Sequence, residues 1–264
     1  MSAISPPPAR SDITRRLRAA GCVFAEDEAR LLIEAARTPS ELNALLERRV
    51  SGTPLEYVLG WAEFCGLRIA LDPGVFVPRR RTAFLVRQAI ALAKPRPVVV
   101  DMCCGSGAVG AALAAAVEQV ELYAVDIDPV SVACARRNIA AVGGRAIAGD
   151  LYEPLPVTLR GRVDLLVANA PYVPTDSIRL LPPEARDHEP QVALDGGPDG
   201  LDVLRRVAAG AASWLAPGGS LLIETSRAQA PRALDALTRG GMIARRASSE
   251  ELNCTVAIGA TPTG

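Results

Sequence analysis

From Pro97 onward, short apolar runs alternate along the chain with longer segments of helical periodicity. The apolar runs predict seven strands, at residues 98–100, 120–125, 145–148, 163–168, 220–224, 242–247 and 253–258. Helices are predicted between them at residues 108–117, 129–141, 200–215 and 227–238. This alternation is typical of an α/β protein with a doubly wound parallel sheet and helices on both faces. A short loop joins the last two runs, which indicates an antiparallel end strand.

The first 50 residues have a purely helical pattern. We expect Ser11 to cap a first helix, Ala25 to open a second, and Ser40 to cap a third. A hairpin is then predicted at residues 61–71 and a linking helix at residues 82–93. The chain is therefore expected to have three parts, namely a small helical domain at 1–58, a hairpin with a linking helix at 59–94, and an α/β domain at 95–264.

Composition narrows the functional classes. The 264 residues are 49% hydrophobic, which is enough for a large buried core. The net charge of zero argues against a dedicated nucleic-acid binder, which neutralises phosphates with excess Lys and Arg. The six cysteines form no Cys-x-x-Cys motif, so we expect a reducing, cytoplasmic setting and no bound metal. The N-terminus is too polar for a signal peptide, and no apolar run approaches the roughly 20 residues that span a membrane.

Basic residues are concentrated between residues 68 and 96, where Asp72 is the only acid. Such a segment could guide an acidic partner, but a solvated surface is the interpretation that we favour. The only histidine, His188, lies among Pro, Glu and Asp and is expected at the surface. Catalysis that depends on a histidine base is therefore not predicted.

The loop after the strand at 98–100 is the first candidate site. Its glycines allow the backbone to approach a ligand closely and to start a helix. Asp126 ends the next strand, where a carboxylate can accept hydrogen bonds from both ribose hydroxyls of a nucleoside. Asp101 would repel a pyrophosphate but suits the cationic amino group of S-adenosylmethionine, so this methyl donor is preferred over NAD. The expected cofactor-binding residues are Asp101, Cys103, Cys104, Gly105, Ser106, Gly107, Asp126, Ile127, Asp150, Leu151 and Asn169.

The second candidate site is the tetrapeptide Asn169, Ala170, Pro171 and Tyr172, directly after the apolar run 163–168. An amide nitrogen is a poor nucleophile because its lone pair is delocalised. The Asn169 side-chain oxygen and the Ala170 carbonyl could accept its two N–H groups and so localise the lone pair. Pro171 forces Ala170 into an extended conformation, and Tyr172 could stack on the planar group. These four residues are the expected catalytic residues, with an ordinary proline turn as the alternative.

The chain resembles the protein-(glutamine-N5) methyltransferase family, which modifies the Gly-Gly-Gln motif of peptide-chain release factors. The resemblance covers about residues 50–230 and rests on ordered matches at 53–60, 64–66, 77–82, Glu189-Pro190, Ala193-Leu194, Gly196-Gly197, 199–201, Glu224 and Gln229. The chain departs from the family at several positions. Ala170 replaces a proline, Cys103-Cys104 replaces Gly-Thr, and Glu56 replaces a glutamine. Where the family has the acidic segment Pro-Glu-Thr-Glu, this chain has Arg80, Arg81 and Ala83.

The resemblance implies a seven-stranded class I S-adenosylmethionine-dependent methyltransferase fold with a helical N-terminal domain that recognises a substrate protein. It implies methyl transfer to the side-chain amide nitrogen of a glutamine in a protein, with a release factor as one candidate, and a monomer that binds no membrane. An enzyme of the same fold that acts on another protein, a small molecule or a nucleobase amino group is one alternative. A non-catalytic binding module that kept the cofactor fold is another.

Overall fold

The structure of the chain is a computed structural model that describes residues 9–263. The polar N-terminal residues that argue against a signal peptide lie outside this range. No helix in the described range is long and apolar enough to cross a membrane.

Four helices form the N-terminal part. They are α1 (Arg10–Ala19), α2 (Ala25–Ala35), α3 (Pro39–Val50) and α4 (Leu55–Leu59). Ile13, Leu17, Leu32 and Leu46 are fully buried in their shared core. Each such side chain contributes about 1.5–3 kcal/mol when it leaves water, so the helices have a core of their own.

Both predicted serine caps are wrong. Ser11 lies inside the first turn of α1, which begins after Ala9 and has no side-chain cap. Thr38 rather than Ser40 caps α3, because its Oγ1 accepts a 3.1 Å hydrogen bond from the Glu41 amide. Pro39 follows at the first helical position, where a missing N–H costs nothing.

The predicted hairpin and linking helix are both present. The hairpin consists of antiparallel strands β1 (Trp61–Phe64) and β2 (Leu67–Ala70), and the linking helix is α5 (Ala83–Leu92) after a 3₁₀ turn at Arg80–Thr82. Asn138 fastens the hairpin to the larger domain. Its side chain pairs with both the amide and the carbonyl of Ala70, at 2.8 and 2.9 Å, and also donates to the Ser106 carbonyl at 2.8 Å.

The predicted seven-stranded sheet is confirmed. Its strands are β3 (Val98–Met102), β4 (Glu121–Asp126), β5 (Arg145–Ala148), β6 (Val163–Ala168), β7 (Leu215–Thr225), β8 (Ile243–Ser249) and β9 (Cys254–Ala260). The order in the sheet is β5-β4-β3-β6-β7-β9-β8. Strands β3 to β7 are parallel, while β9 runs antiparallel to β7 and β8, as the short final loop indicated.

Helices cover both faces of the sheet. The helices after α5 are α6 (Ala108–Ala116), α7 (Pro129–Ile139), α8 (Pro183–His188), α9 (Gln191–Leu194), α10 (Asp202–Ala211) and α11 (Ala230–Arg239). The short helices α8 and α9 belong to the segment after β6, while the others and α5 pack against the strands. Two separate apolar clusters, one on each face, contain alternate residues of β3, such as Val99 and Val100. The chain crosses over between β3 and β6, and ligands of such sheets bind at this switch point.

Strand β7 begins earlier than predicted. Leu215 already pairs with Val163, and the register then shifts before Ser220 pairs with Leu165. The sequence pattern predicts a helix over 200–215 and a strand only from residue 220, whereas α10 ends at Ala211 and residues 216–219 are an irregular part of the strand. The long segment after β6, residues 170–198, contains a 3₁₀ turn at Thr175–Leu180 and the short helices α8 and α9.

Candidate active site

The chain turns sharply after β3 and approaches the end of β4. Cys103, Gly105 and Gly107 have left-handed φ values of 56°, 53° and 73°. The Cys104 amide donates to the Val125 carbonyl at 3.0 Å, and the Gly105 amide donates to Asp126 Oδ2 at 2.8 Å. The loop is therefore held against β4, with its backbone at the carboxyl edge of the sheet.

A cavity opens at this edge. Every predicted cofactor-binding residue except Gly107 lines it. A Cβ at Gly107 would lie 3.0 Å from Ala135 Cβ, so this glycine allows α6 and α7 to pack closely rather than facing a ligand. Lining residues that sequence reasoning missed include Phe64, Phe76, Pro78, Val192, Val203 and Arg206.

Asp101 is buried in this cavity wall, with only 1% of its surface exposed. Its Oδ2 accepts a 2.8 Å hydrogen bond from the Gly110 amide. Burial, together with the nearby charge of Asp126, raises the pKa of Asp101 to about 8. A buried carboxyl of this kind ionises readily only beside a cation, which fits the ammonium group of S-adenosylmethionine.

Two further carboxylates line the cavity where the nucleoside of that cofactor is expected. Asp126 Oδ1 accepts from the Asp128 amide at 3.0 Å, and burial raises the pKa of Asp126. Because each carboxylate oxygen has two lone pairs, Asp126 can still accept from ribose hydroxyls. Asp150 forms a 2.7 Å ion pair with Arg206 of α10, which fixes the direction of its carboxylate.

The predicted acceptor segment follows β6 directly. Asn169 Nδ2 lies 3.5 Å from the hydroxyl oxygen of the buried Thr82, and this orientation leaves Asn169 Oδ1 available as an acceptor. Ala170 is 2% exposed. Among residues 9–263, no hydrogen bond is donated to the Ala170 carbonyl or to Asn169 Oδ1. Two oxygen acceptors are thus available, as an amide clamp requires.

Gln229 and the glycine-rich loop 196–200 hold the backbone of residues 171–172 in place. Gln229 Nε2 donates to the Tyr172 carbonyl at 2.9 Å and to the Asp199 carbonyl at 3.0 Å. A Cβ at Gly200 would lie only 2.3 Å from the Tyr172 carbonyl oxygen, and one at Gly196 would lie 2.7 Å from the Pro171 carbonyl oxygen. Close backbone packing therefore requires glycine at both positions.

A second, larger cavity lies on the other side of Asn169; we call it the acceptor cavity. It is bordered by Ala170, Tyr172, Glu224 and Arg81, and by the ends of β8 and β9. Phe76, Arg79, Asn169 and Ala193 line both cavities. A methyl donor in the first cavity and an acceptor in the second would therefore meet at Asn169.

The predicted stacking residue, Tyr172, belongs to a hydrogen-bonded group in the acceptor cavity. Its hydroxyl lies 3.3 Å from Oε1 of the buried Glu224 and also contacts Arg81 Nη2. Arg81 Nε donates to the same Glu224 oxygen at 3.0 Å. Burial, reinforced by the charge of Glu224, raises the pKa of Tyr172 to about 12. Tyr172 is therefore a neutral phenol at physiological pH.

The solvated-surface interpretation of the basic segment is wrong for Arg79 and Arg81. Arg79 Nη2 lies 2.6 Å from both carboxylate oxygens of Glu189, whose side chain is 1% exposed. Arg81 pairs with Glu224 as described. Arg80, between them, is exposed as expected, and so is His188.

The chain is similar to known methyltransferases. A family model described as "Methyltransferase small domain" matches residues 66–180. A release factor glutamine methyltransferase of Geobacter sulfurreducens is 40% identical over 77% of this chain and 72% of its own length. One of Mycolicibacterium smegmatis is 39% identical, over 81% of this chain and 78% of its own length.

Another relative is named for a small-molecule methyl acceptor rather than for a release factor. The 4-amino-L-phenylalanine/4-methylamino-L-phenylalanine methyltransferase of Streptomyces pristinaespiralis is 37% identical over 82% of this chain and 75% of its own length. Among solved structures, a methyltransferase from Pyrococcus furiosus superposes with a TM-score of 0.57 at 16% identity, covering 75% of this chain and 90% of the other. That likeness supports the fold of the sheet domain.

Proposed function

Because the chain belongs to the release factor glutamine methyltransferase family, we propose that it transfers a methyl group from S-adenosylmethionine to the side-chain amide nitrogen of a release-factor glutamine. The observation that carries the proposal is the position of Asn169. It lies at the junction of the two cavities, and its oxygen and the Ala170 carbonyl are both available as acceptors.

The first cavity would hold the cofactor, which supplies an electrophilic methyl group. Asp101 would face its ammonium group and Asp126 its ribose hydroxyls, while the backbone of residues 103–106 would pack against it. Ion pairing with Arg206 would hold Asp150 toward the adenine. Ile127 and Leu151 would supply apolar contacts to the nucleoside.

In the acceptor cavity, Asn169 Oδ1 and the Ala170 carbonyl would accept the two N–H groups of the glutamine amide. Both contacts draw electron density toward the nitrogen and aim it at the methyl group. Pro171 limits the conformations of Ala170, and Tyr172 would stack on the planar amide. Holding the two reacting groups in line can lower the barrier by about 7 kcal/mol.

We also propose how the whole chain is used. Residues 1–58 would recognise the substrate protein, residues 59–94 would connect the parts, and residues 95–264 would carry out methyl transfer. The chain would act as a monomer in the cytoplasm. The zero net charge supports the lack of a dedicated nucleic-acid surface, and the absence of a Cys-x-x-Cys motif supports a reducing setting.

The test uses purified protein, S-adenosylmethionine with a labelled methyl group, and a release factor containing Gly-Gly-Gln. We expect label on the glutamine of that motif, located by mass spectrometry of the digested release factor. Transfer to free 4-amino-L-phenylalanine, with none to the release factor, would contradict the proposal.

Asn169→Ala is the variant that tests the clamp. It should lower kcat at least about 100-fold, because the substrate amide loses one of its two preorganised acceptors. Its cofactor Kd should stay within a few-fold of wild type, since the cofactor keeps all its other contacts. Retained transfer by this variant would exclude the clamp role.

A further inference from the structure

We propose that Arg81 binds the substrate and determines acceptor specificity, donating a hydrogen bond to a main-chain carbonyl oxygen of the glutamine-bearing segment. This inference rests on the proposed function and extends it to the substrate main chain. Its starting point is a half-exposed cation, Arg81, that lines the acceptor cavity and pairs with the buried Glu224.

The guanidinium of Arg81 has donors to spare. Its Nε is used by Glu224 and its Nη2 by Tyr172, while Nη1 has no hydrogen-bond partner among residues 9–263. The side chain is 41% exposed although its ion-pair partner, Glu224, is 2% exposed. Arg81 also lines the acceptor cavity, so its free N–H groups are accessible from that cavity.

The direction of these free donors is fixed. A guanidinium is planar, so two hydrogen bonds to buried or half-buried partners set the orientation of the whole group. Tyr172 packs beneath it, with the guanidinium carbon 5.8 Å from the centre of the ring. Arg81 therefore presents a preorganised donor and loses little side-chain entropy on binding.

The chemistry of the group selects its ligand. A guanidinium has donors only, so the partner must be an oxygen acceptor. Glu224 already neutralises the positive charge, and its carboxylate would repel a second anion at the same place. A neutral carbonyl oxygen is thus favoured over a carboxylate. The main chain of a peptide segment offers such a carbonyl oxygen, whereas a free amino acid offers a carboxylate in its place.

Arg81 also lies within reach of a substrate held by the clamp, that is, by Asn169 and Ala170. Tyr172 follows these residues in the chain, and its hydroxyl contacts Arg81. The backbone from Ala170 to Tyr172 and one tyrosine side chain therefore connect the clamp to Arg81, and Asn169 and Arg81 line the same cavity. A glutamine whose amide nitrogen lies at Asn169 extends its own side chain over a similar length. Its main chain would then lie beside Arg81.

The experiment compares Arg81→Met with Arg80→Met, using the release factor as acceptor. Arg80 is the matched control because it is exposed, adjacent in sequence and lines neither cavity. We expect Arg81→Met to raise the KM for the release factor about tenfold, the loss expected for a hydrogen bond from a charged donor. Its cofactor Kd, measured by calorimetry, should stay within twofold, and Arg80→Met should change neither constant more than twofold.

Removing Arg81 alone also leaves the buried Glu224 carboxylate without its cation, which could disturb the site indirectly. The double variant Arg81→Met/Glu224→Gln separates the two roles because it removes both charges. If Arg81 contacts the acceptor, the KM of the double variant stays raised about tenfold. If Arg81 only compensates Glu224, the double variant recovers a KM within twofold of wild type, and the inference is overturned.

The outcomes also separate this inference from the proposed function. A wild-type protein that does not methylate the release factor refutes the proposed function, and the inference with it. Normal methylation by wild type together with an unchanged KM in Arg81→Met refutes the inference alone. Thermal melting and cofactor binding of each variant establish that the compared proteins are folded.

Discussion

Replacing Asp101 with asparagine should stabilise the cofactor-free protein at neutral pH while weakening cofactor binding. The substitution keeps the shape of the side chain. An asparagine oxygen can still accept the hydrogen bond that the Gly110 amide gives to Asp101 Oδ2. The change is therefore mainly the loss of an ionisable group at a site that is 1% exposed.

The size of the effect follows from the pKa. Burial raises the pKa of Asp101 from 3.8 to about 8, so as pH rises the unfolded chain loses this proton first. Ionisation then favours unfolding at every pH between these two values, and stability falls as pH rises through that window. Each pH unit costs about 1.4 kcal/mol, which gives on the order of 4 kcal/mol at pH 7 and a ceiling of about 6 kcal/mol above pH 8.

Urea unfolding at pH 5, 6, 7 and 8 measures this directly. The stability difference between Asp101→Asn and wild type should be about 2 kcal/mol at pH 5 and should grow by about 1.4 kcal/mol with each pH unit up to pH 8. Taking the difference cancels the contributions of other carboxyls. A difference that does not change with pH would refute the reasoning. In calorimetry at pH 7, the same variant should bind S-adenosylmethionine at least about tenfold more weakly, because it has lost the charge opposite the ammonium group.

Two further predictions concern the loops that shape the two cavities. Asp126→Ala should abolish S-adenosylmethionine binding in calorimetry, because it removes the expected ribose acceptor and the anchor of the Gly105 amide; unchanged affinity would exclude this cofactor placement. Gly200→Ala should lower the melting temperature by several degrees and reduce kcat, because its Cβ would lie 2.3 Å from the Tyr172 carbonyl oxygen. Gly241→Ala is its control, since Gly241 has a similar positive φ and open space around its Cβ position; equal effects of both substitutions would contradict the packing argument.

The local sequence pattern was sufficient for the sheet, and most of the residues that it proposes for cofactor binding line one cavity. Apolar runs followed by Asp or Asn placed Asp101, Asp126 and Asn169 at strand ends, and parallel strands bring such ends to one edge. The errors were local too. Ser40 rather than Thr38 was predicted to cap α3, and β7 was predicted to begin at residue 220, whereas it begins at Leu215.

The acceptor cavity was less predictable because its contacts join distant parts of the chain. Arg81 and Glu224 are 143 residues apart, and Arg79 and Glu189 are 110 apart. No periodicity reports such pairs, so an arginine cluster without nearby acids looked like solvated surface. The altered pKa of Asp101 was also beyond a sequence argument, since it depends on complete burial rather than on neighbours in sequence.

The shared wall of the two cavities has a consequence for inhibition. Because Asn169 faces both, one molecule could fill both at once if a short linker in place of the methyl group joined an adenosyl moiety to a glutamine amide. Binding of one half would hold the other at an effective concentration in the millimolar range, which strengthens binding without any new contact. Extending that molecule by a single peptide unit would carry a carbonyl oxygen toward Arg81.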